Sequence, residues 1–62
     1  MGIGKKIKAA RLNAGFTRKE VAEQAGITEA GLYKIEKEER GPLFETVEKI
    51  SAILNISLDS LR

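Results

Sequence analysis

Eleven Lys and Arg, nine Asp and Glu, and neither His nor Cys set the chemistry open to this 62-residue chain. Without Cys there is no thiol nucleophile and no disulfide. Without His there is no imidazole for acid–base work, and the common zinc sets are gone. Carboxylates are plentiful, but no Gly-rich phosphate loop accompanies them, so no catalytic set is assembled. Neither an enzyme nor a metal, cofactor or small-molecule substrate is expected. What remains to the charged residues is to pair with each other or to meet a charged partner. Two are placed to pair. Arg11 lies in helical phase with Ile7 and Ala14, and Glu36 lies in phase with Leu32 and Ile35. A lone charge in a core is very costly and a paired one is tolerable. One basic and one acidic residue in core phase therefore predict a mutual, structural salt bridge. The net charge of +2 fits a nucleic-acid partner and an ordinary solvated surface alike.

The elements that must position these residues are short helices. A chain of this length makes one domain, 1–62, with a small core. Gly15, Gly26, Gly41-Pro42 and Asn55 each follow a stretch of helical period and mark its end. Ile3, Ile7, Ala10 and Ala14 form one face of the first stretch. Thr17-Arg18-Lys19-Glu20 opens the second as a capping box, and Thr28 caps the third. The fourth follows Pro42 and carries Val47, Ile50, Ile53 and Leu54, and a short turn from Ser57 holds Leu58 and Leu61. The prediction is an all-α bundle of five helices near 3–14, 18–25, 29–37, 43–54 and 58–61, around Ile7, Phe16, Val21, Leu32, Ile35, Val47, Ile50 and Leu54. The apolar stretches are too short to span a bilayer, and the first residues lack the apolar run of a signal peptide. A cytoplasmic protein is expected.

The second and third helices are joined only by Ala25-Gly26-Ile27-Thr28, so they must cross closely. Close crossing needs a small residue on the first helix and a Gly in the turn. Ala22 and Gly26 supply both, and Leu32 and Ile35 then pack the following helix onto the rest. This is helix-turn-helix spacing, over about residues 18–37. The segments 7–11, 17–28, 32–36 and 54–61 together resemble the Cro/repressor family of helix-turn-helix domains, over almost the whole chain. Proteins of that family also carry an Arg–Glu pair at the positions of Arg11 and Glu36.

The resemblance implies a transcriptional regulator, repressor-like, that binds double-stranded DNA with the helix at 29–37 in the major groove. With the core face removed, that helix presents Glu29, Ala30, Tyr33, Lys34 and Lys37. By resemblance Glu29, Ala30 and Lys34 meet bases. Lys34 can donate to guanine O6 and N7, Glu29 can accept from cytosine N4, and Ala30 can meet a thymine methyl. Each has a plainer use: Lys34 as a phosphate contact, Glu29 as a complement to the helix dipole, and Ala30 as a good helix former. Arg18 with the first amides of helix two, Tyr33, Lys37 and Arg40 are the expected backbone contacts. The Tyr33 ring could equally pack on its own domain. Gly31, inside the recognition helix, suits close approach to DNA or to a neighbouring helix.

Three positions depart from the family pattern. Arg18 replaces a frequent Gln that braces the recognition helix, Glu38 stands where Gly is common, and Leu43 stands where Ser or a basic residue is common. A half-site domain also calls for a second subunit. Ile53, Ile56, Leu58 and Leu61 offer a C-terminal homodimer surface, unless the monomer's own core consumes them. The alternative function is a protein-interaction module on the same fold, as in an antitoxin or coactivator.

Overall fold

The computed structural model of the chain describes residues 2–57 and residue 59. Four helices account for these residues: α1 (Ile3–Ala14), α2 (Arg18–Ala25), α3 (Glu29–Glu36) and α4 (Phe44–Leu54). There is no strand among them. The fifth helix expected at 58–61 lies outside the described residues, Asp59 excepted. Lys37 and Leu43 stand one residue outside the helices expected to hold them, a difference within the ordinary fraying of helix ends.

The helix starts follow from two threonines. The Thr17 hydroxyl accepts from the Glu20 amide at 3.1 Å, and the Thr17 amide donates to the Glu20 carboxylate at 2.8 Å, which completes the capping box. The Thr28 hydroxyl accepts from the Gly31 amide at 2.9 Å. Leu43 precedes α4 and has no side chain able to cap it.

The helix ends share one construction. After each helix a residue with positive φ turns the chain, and the next amide reaches back five residues to a carbonyl. At α1 the turning residue is Gly15 and Phe16 reaches Arg11; at α2 they are Gly26 and Ile27 to Ala22; at α4, Asn55 and Ile56 to Ser51. In these three the residue after the turn is apolar and packs against the core. At α3 the turning residue is Glu38, φ 63°, and the next is Glu39, bonded to the Lys34 carbonyl at 2.9 Å.

α1 and α2 each pack against both α3 and α4. Ile7, Val21, Leu32 and Ile50 are fully buried at the centre, where each such side chain stabilises by about 1.5–3 kcal/mol relative to exposure. Ala22, Ala25, Ile35, Val47 and Leu54 complete the core. Phe16, expected within it, is half-buried and covers it from outside, because it belongs to the closing turn of α1 rather than to a helix face. Ala14, expected on the buried face of α1, is exposed; that face runs through Gly4, Ile7 and Arg11. Gly4 permits a close approach of backbone to backbone. A Cβ there would run into the Ile35 carbonyl oxygen and would lie 3.1 Å from that of Glu36. α1 thereby sits directly on the C-terminal end of α3.

Candidate nucleic-acid interface

α3 is held along one face and open along the other. Leu32, Ile35 and Glu36 are buried, while Glu29, Ala30, Tyr33 and Lys34 are exposed, with Lys37 just beyond. Gly26 in the preceding turn has φ 74°, a conformation costly for any residue with a Cβ. It lets α2 end and α3 begin within four residues, and Ala22 is buried where the two helices cross.

Behind the exposed face lies an ion-pair network. Arg11 and Glu36 have side chains only 6% and 1% exposed. Arg11 Nε donates to Glu36 Oε2 at 2.7 Å, and Nη2 donates to Oε1 at 3.3 Å. Nη1 donates to the Phe16 carbonyl at 3.0 Å. A buried guanidinium with its three nitrogens bonded is the arrangement that makes such a charge tolerable. Arg18, from the first turn of α2, adds a second cation: its Nε donates to Glu36 Oε1 at 3.3 Å. The replacement of the family's usual Gln by Arg18 thus keeps a link between α2 and α3, now charged.

Arg18 also lies over the Tyr33 ring, 4.8 Å from its centroid, and Lys37 Nζ lies over the same ring at 5.1 Å. Cations at such distances are attracted by the negative face of the ring. Hydrogen bonding with the Tyr33 hydroxyl first, then the electrostatic influence of Tyr33 and of the Glu39 carboxylate, holds the Lys37 ammonium above its ordinary pKa. Arg18, Glu29, Ala30 and Tyr33 line one open depression between the start of α2 and α3.

The structure therefore brings Arg18, Tyr33, Lys37, Glu29 and Ala30 into one neighbourhood, with Lys34 exposed one turn along from Ala30. Arg40 stands apart. It lines a separate cleft of about 180 Å³ with Ile27, Thr28 and Pro42. Gly31 packs against no helix: a Cβ there would meet the Thr28 hydroxyl oxygen at 3.0 Å and an Arg40 nitrogen at 3.9 Å. Three features escaped the sequence reading. The stacking of Arg18 and Lys37 on Tyr33 has a partial signal in the i, i+4 spacing of Tyr33 and Lys37. The left-handed Glu38 was signalled by its standing where Gly is common. The exposed Leu43 and Phe44 at the start of α4 follow from the missing cap but were not read as a surface. Among the described residues no group of acids could hold a metal, and no helix is long and apolar enough to cross a membrane.

Comparison with known proteins bears on this geometry. A family model described as helix-turn-helix matches residues 7–61. The chain is 41% identical over 61 residues to the HTH-type transcriptional regulator ImmR of Bacillus subtilis, covering 98% of this chain and 48% of ImmR. It is 37% identical over 60 residues to the HTH-type transcriptional regulator SinR of the same organism, covering 95% of this chain and 54% of SinR. The chain thus spans about half the length of these relatives. A crystal structure of SinR, the master regulator for biofilm formation, in complex with DNA matches with a TM-score of 0.87 at 37% identity, covering 95% of both chains. A complex of SinR with SinI matches with the same score over 58% of that chain. With the family's spacing, its crossing of α2 and α3 and its Arg–Glu pair all present, the chain belongs to the helix-turn-helix family of the Cro/repressor type.

Proposed function

We propose that this chain is a sequence-specific, double-stranded-DNA-binding transcriptional regulator of the repressor kind, with α3 in the major groove. The observation that carries the reading is the division of α3 into a locked face and an open one. Leu32, Ile35 and Glu36 fix the helix from behind, and Glu29, Ala30 and Lys34 are left outward on a rigid element. Its likeness to SinR, a DNA complex of which has been solved, supports the same assignment. In this reading Lys34 donates to guanine, Glu29 accepts from cytosine and Ala30 meets a thymine methyl. Arg18, Tyr33, Lys37 and Arg40 serve the backbone, with the first amides of α2 as a further anion site. Binding, not catalysis, is the proposed activity, and the cytoplasm is the proposed compartment.

A homodimer through the C-terminal segment fits the need for two half-sites. Ile53 and Ile56 are half-buried against the monomer's own core and retain part of their surface for a partner. Leu58 and Leu61 lie outside the described residues. Sedimentation at micromolar concentration, with and without DNA, tests the dimer, and a strict monomer in both removes it. For DNA binding itself, duplexes are selected from a random pool and titrated at two salt concentrations. We expect one preferred sequence and affinity that falls steeply with salt, because phosphate contacts release counterions. Retention that is absent or indifferent to salt refutes the reading in favour of a protein-interaction module.

A further inference from the structure

The network behind α3 holds more positive charge than the fold needs. Arg11 already satisfies the buried Glu36, with two donors on its carboxylate. Arg18 is a second guanidinium on the same carboxylate, and its side chain is 29% exposed. Lys37 is a third cation, gathered with Arg18 over one ring. The two ring distances laid end to end bound the gap between these cations at about 10 Å. An anion placed beside two cations held within this span is attracted by both. Arg18 spends its Nε on Glu36, which leaves its two terminal nitrogens for another acceptor, since a guanidinium has five donors in a fixed fork. The depression that Arg18 and Tyr33 line reaches Glu29 and Ala30, so those nitrogens stand beside the outward face of α3.

We propose that Tyr33 and Glu36 are positioning residues that hold Arg18 and Lys37 as a preassembled clamp on the DNA backbone. The proposal rests on the DNA-binding reading above and deepens it. Tyr33 acts through the cations on its ring rather than by touching DNA, and Glu36 acts through Arg18. Groups already ordered in the free protein lose less freedom on binding, so each charge contributes more. The clamp reads backbone, not sequence, and its effect is equal on all duplexes. Its members work as a unit, and their losses are not additive.

The test uses the full chain, a preferred duplex and a scrambled one at two salt concentrations, with thermal melts to show that each variant is folded. Tyr33 is exposed, so its substitution leaves the core intact. Tyr33→Leu is expected to weaken both duplexes about tenfold, the scale of one charge-assisted hydrogen bond, at a nearly unchanged salt slope, since it removes no cation. Arg18→Gln should weaken both to a similar extent, flatten the salt slope by about one unit, and add little loss of affinity on top of Tyr33→Leu. Tyr33→Phe, which keeps the ring beside Arg18 but loses the hydroxyl beside Lys37, should recover part of the loss. In the free protein the Arg18 Nε proton should give a protected NMR signal that Glu36→Gln, whose amide oxygen accepts more weakly than a carboxylate, shifts and exposes to exchange. The proposal is overturned if Arg18→Gln leaves the salt slope unchanged, if the Arg18 and Tyr33 losses add in full, or if Tyr33→Phe is as weak as Tyr33→Leu, since the ring then holds no cation in place. A parent that binds no duplex in a salt-dependent way sinks the DNA reading and the clamp together. A parent that binds while Tyr33→Leu binds equally well sinks the clamp alone.

Discussion

Glu36→Ala is the substitution from which this domain has most to lose. It deletes a carboxylate whose side chain is 1% exposed and which accepts from two arginines. The two arginines fare differently. Arg18 is 29% exposed and can turn its Nε to water, so its loss is small. Arg11 is 6% exposed and keeps only the bond from Nη1 to the Phe16 carbonyl; Nε and Nη2 are left without acceptors. Breaking a buried pair from one side costs about 3–5 kcal/mol, because the surviving charge is stranded. A domain of this size has a total stability on the order of 3–9 kcal/mol, from about 0.05–0.15 kcal/mol per residue. At about 4–8 °C per kcal/mol, the variant should melt on the order of 12 °C or more below the parent. Urea unfolding followed by circular dichroism measures the difference. The control is Arg11→Met with Glu36→Leu, which removes both charges and should cost much less than Glu36→Ala alone. A single variant within about 1 kcal/mol of the parent refutes the argument, since such a value belongs to an exposed pair.

The remaining expectations concern one residue each. Gly4→Ala should destabilise by about 2 kcal/mol or more, since its Cβ meets backbone carbonyls that cannot swing aside; a neutral urea midpoint would show that α1 slides freely on α3. Glu38→Gly should stabilise by about 0.5–1 kcal/mol, the relief of left-handed strain less the chain entropy of Gly, read as a higher urea midpoint at unchanged slope. Glu20 has its carboxyl held below the ordinary range by the Thr17 backbone amide first and the Thr17 hydroxyl second. Its support of α2 is therefore fully present above the ordinary Glu range and lost as pH falls through the lowered value. An NMR titration should place its midpoint below that of Glu20 in a Thr17→Pro variant, which removes that amide and hydroxyl, and equal midpoints refute the assignment. Lys34→Ala should cost about 1–3 kcal/mol on the preferred duplex and relax preference at one base pair, whereas equal losses on a scrambled duplex would remove Lys34 from base reading.

What was legible in the sequence was what short-range chemistry decides. Thr17 and Thr28 announced the starts of α2 and α3 because a capping hydroxyl acts within three residues. Gly15, Gly26 and Asn55 announced ends because each takes a positive φ that few residues tolerate. The phase of Arg11 and Glu36 placed both on buried faces, since burying one charge calls for another. What stayed hidden depends on distance in space. Nothing local to Gly4 shows that a carbonyl of Ile35 will lie against it. Phe16 has a core residue's chemistry but a turn residue's place. Arg18 reads as a free cation until α3, 18 residues later in the chain, brings Glu36 and Tyr33 to it. The open face of α3 was visible by subtracting the buried positions, whereas the grouping of cations on Tyr33 was not.

The helix ends have a bearing on how this domain opens. Phe16, Ile27 and Ile56 each tie the end of a helix to the core, so unwinding α1, α2 or α4 from that end also exposes apolar surface to water. α3 ends on Glu38 and Glu39, and its closing turn has no such tie. Local unfolding should therefore start in the exposed segment beyond Glu36, and the amides of Glu38 and Glu39 should exchange with solvent at a free energy well below that of the whole domain. Unwinding stops where Ile35 and Glu36 are buried and Arg11 holds the carboxylate, so the recognition helix stays stiff from Thr28 to Glu36. Give is thus confined to the loop that carries Lys37 and Arg40, which can follow a backbone whose path varies with sequence while the base-facing residues keep their register.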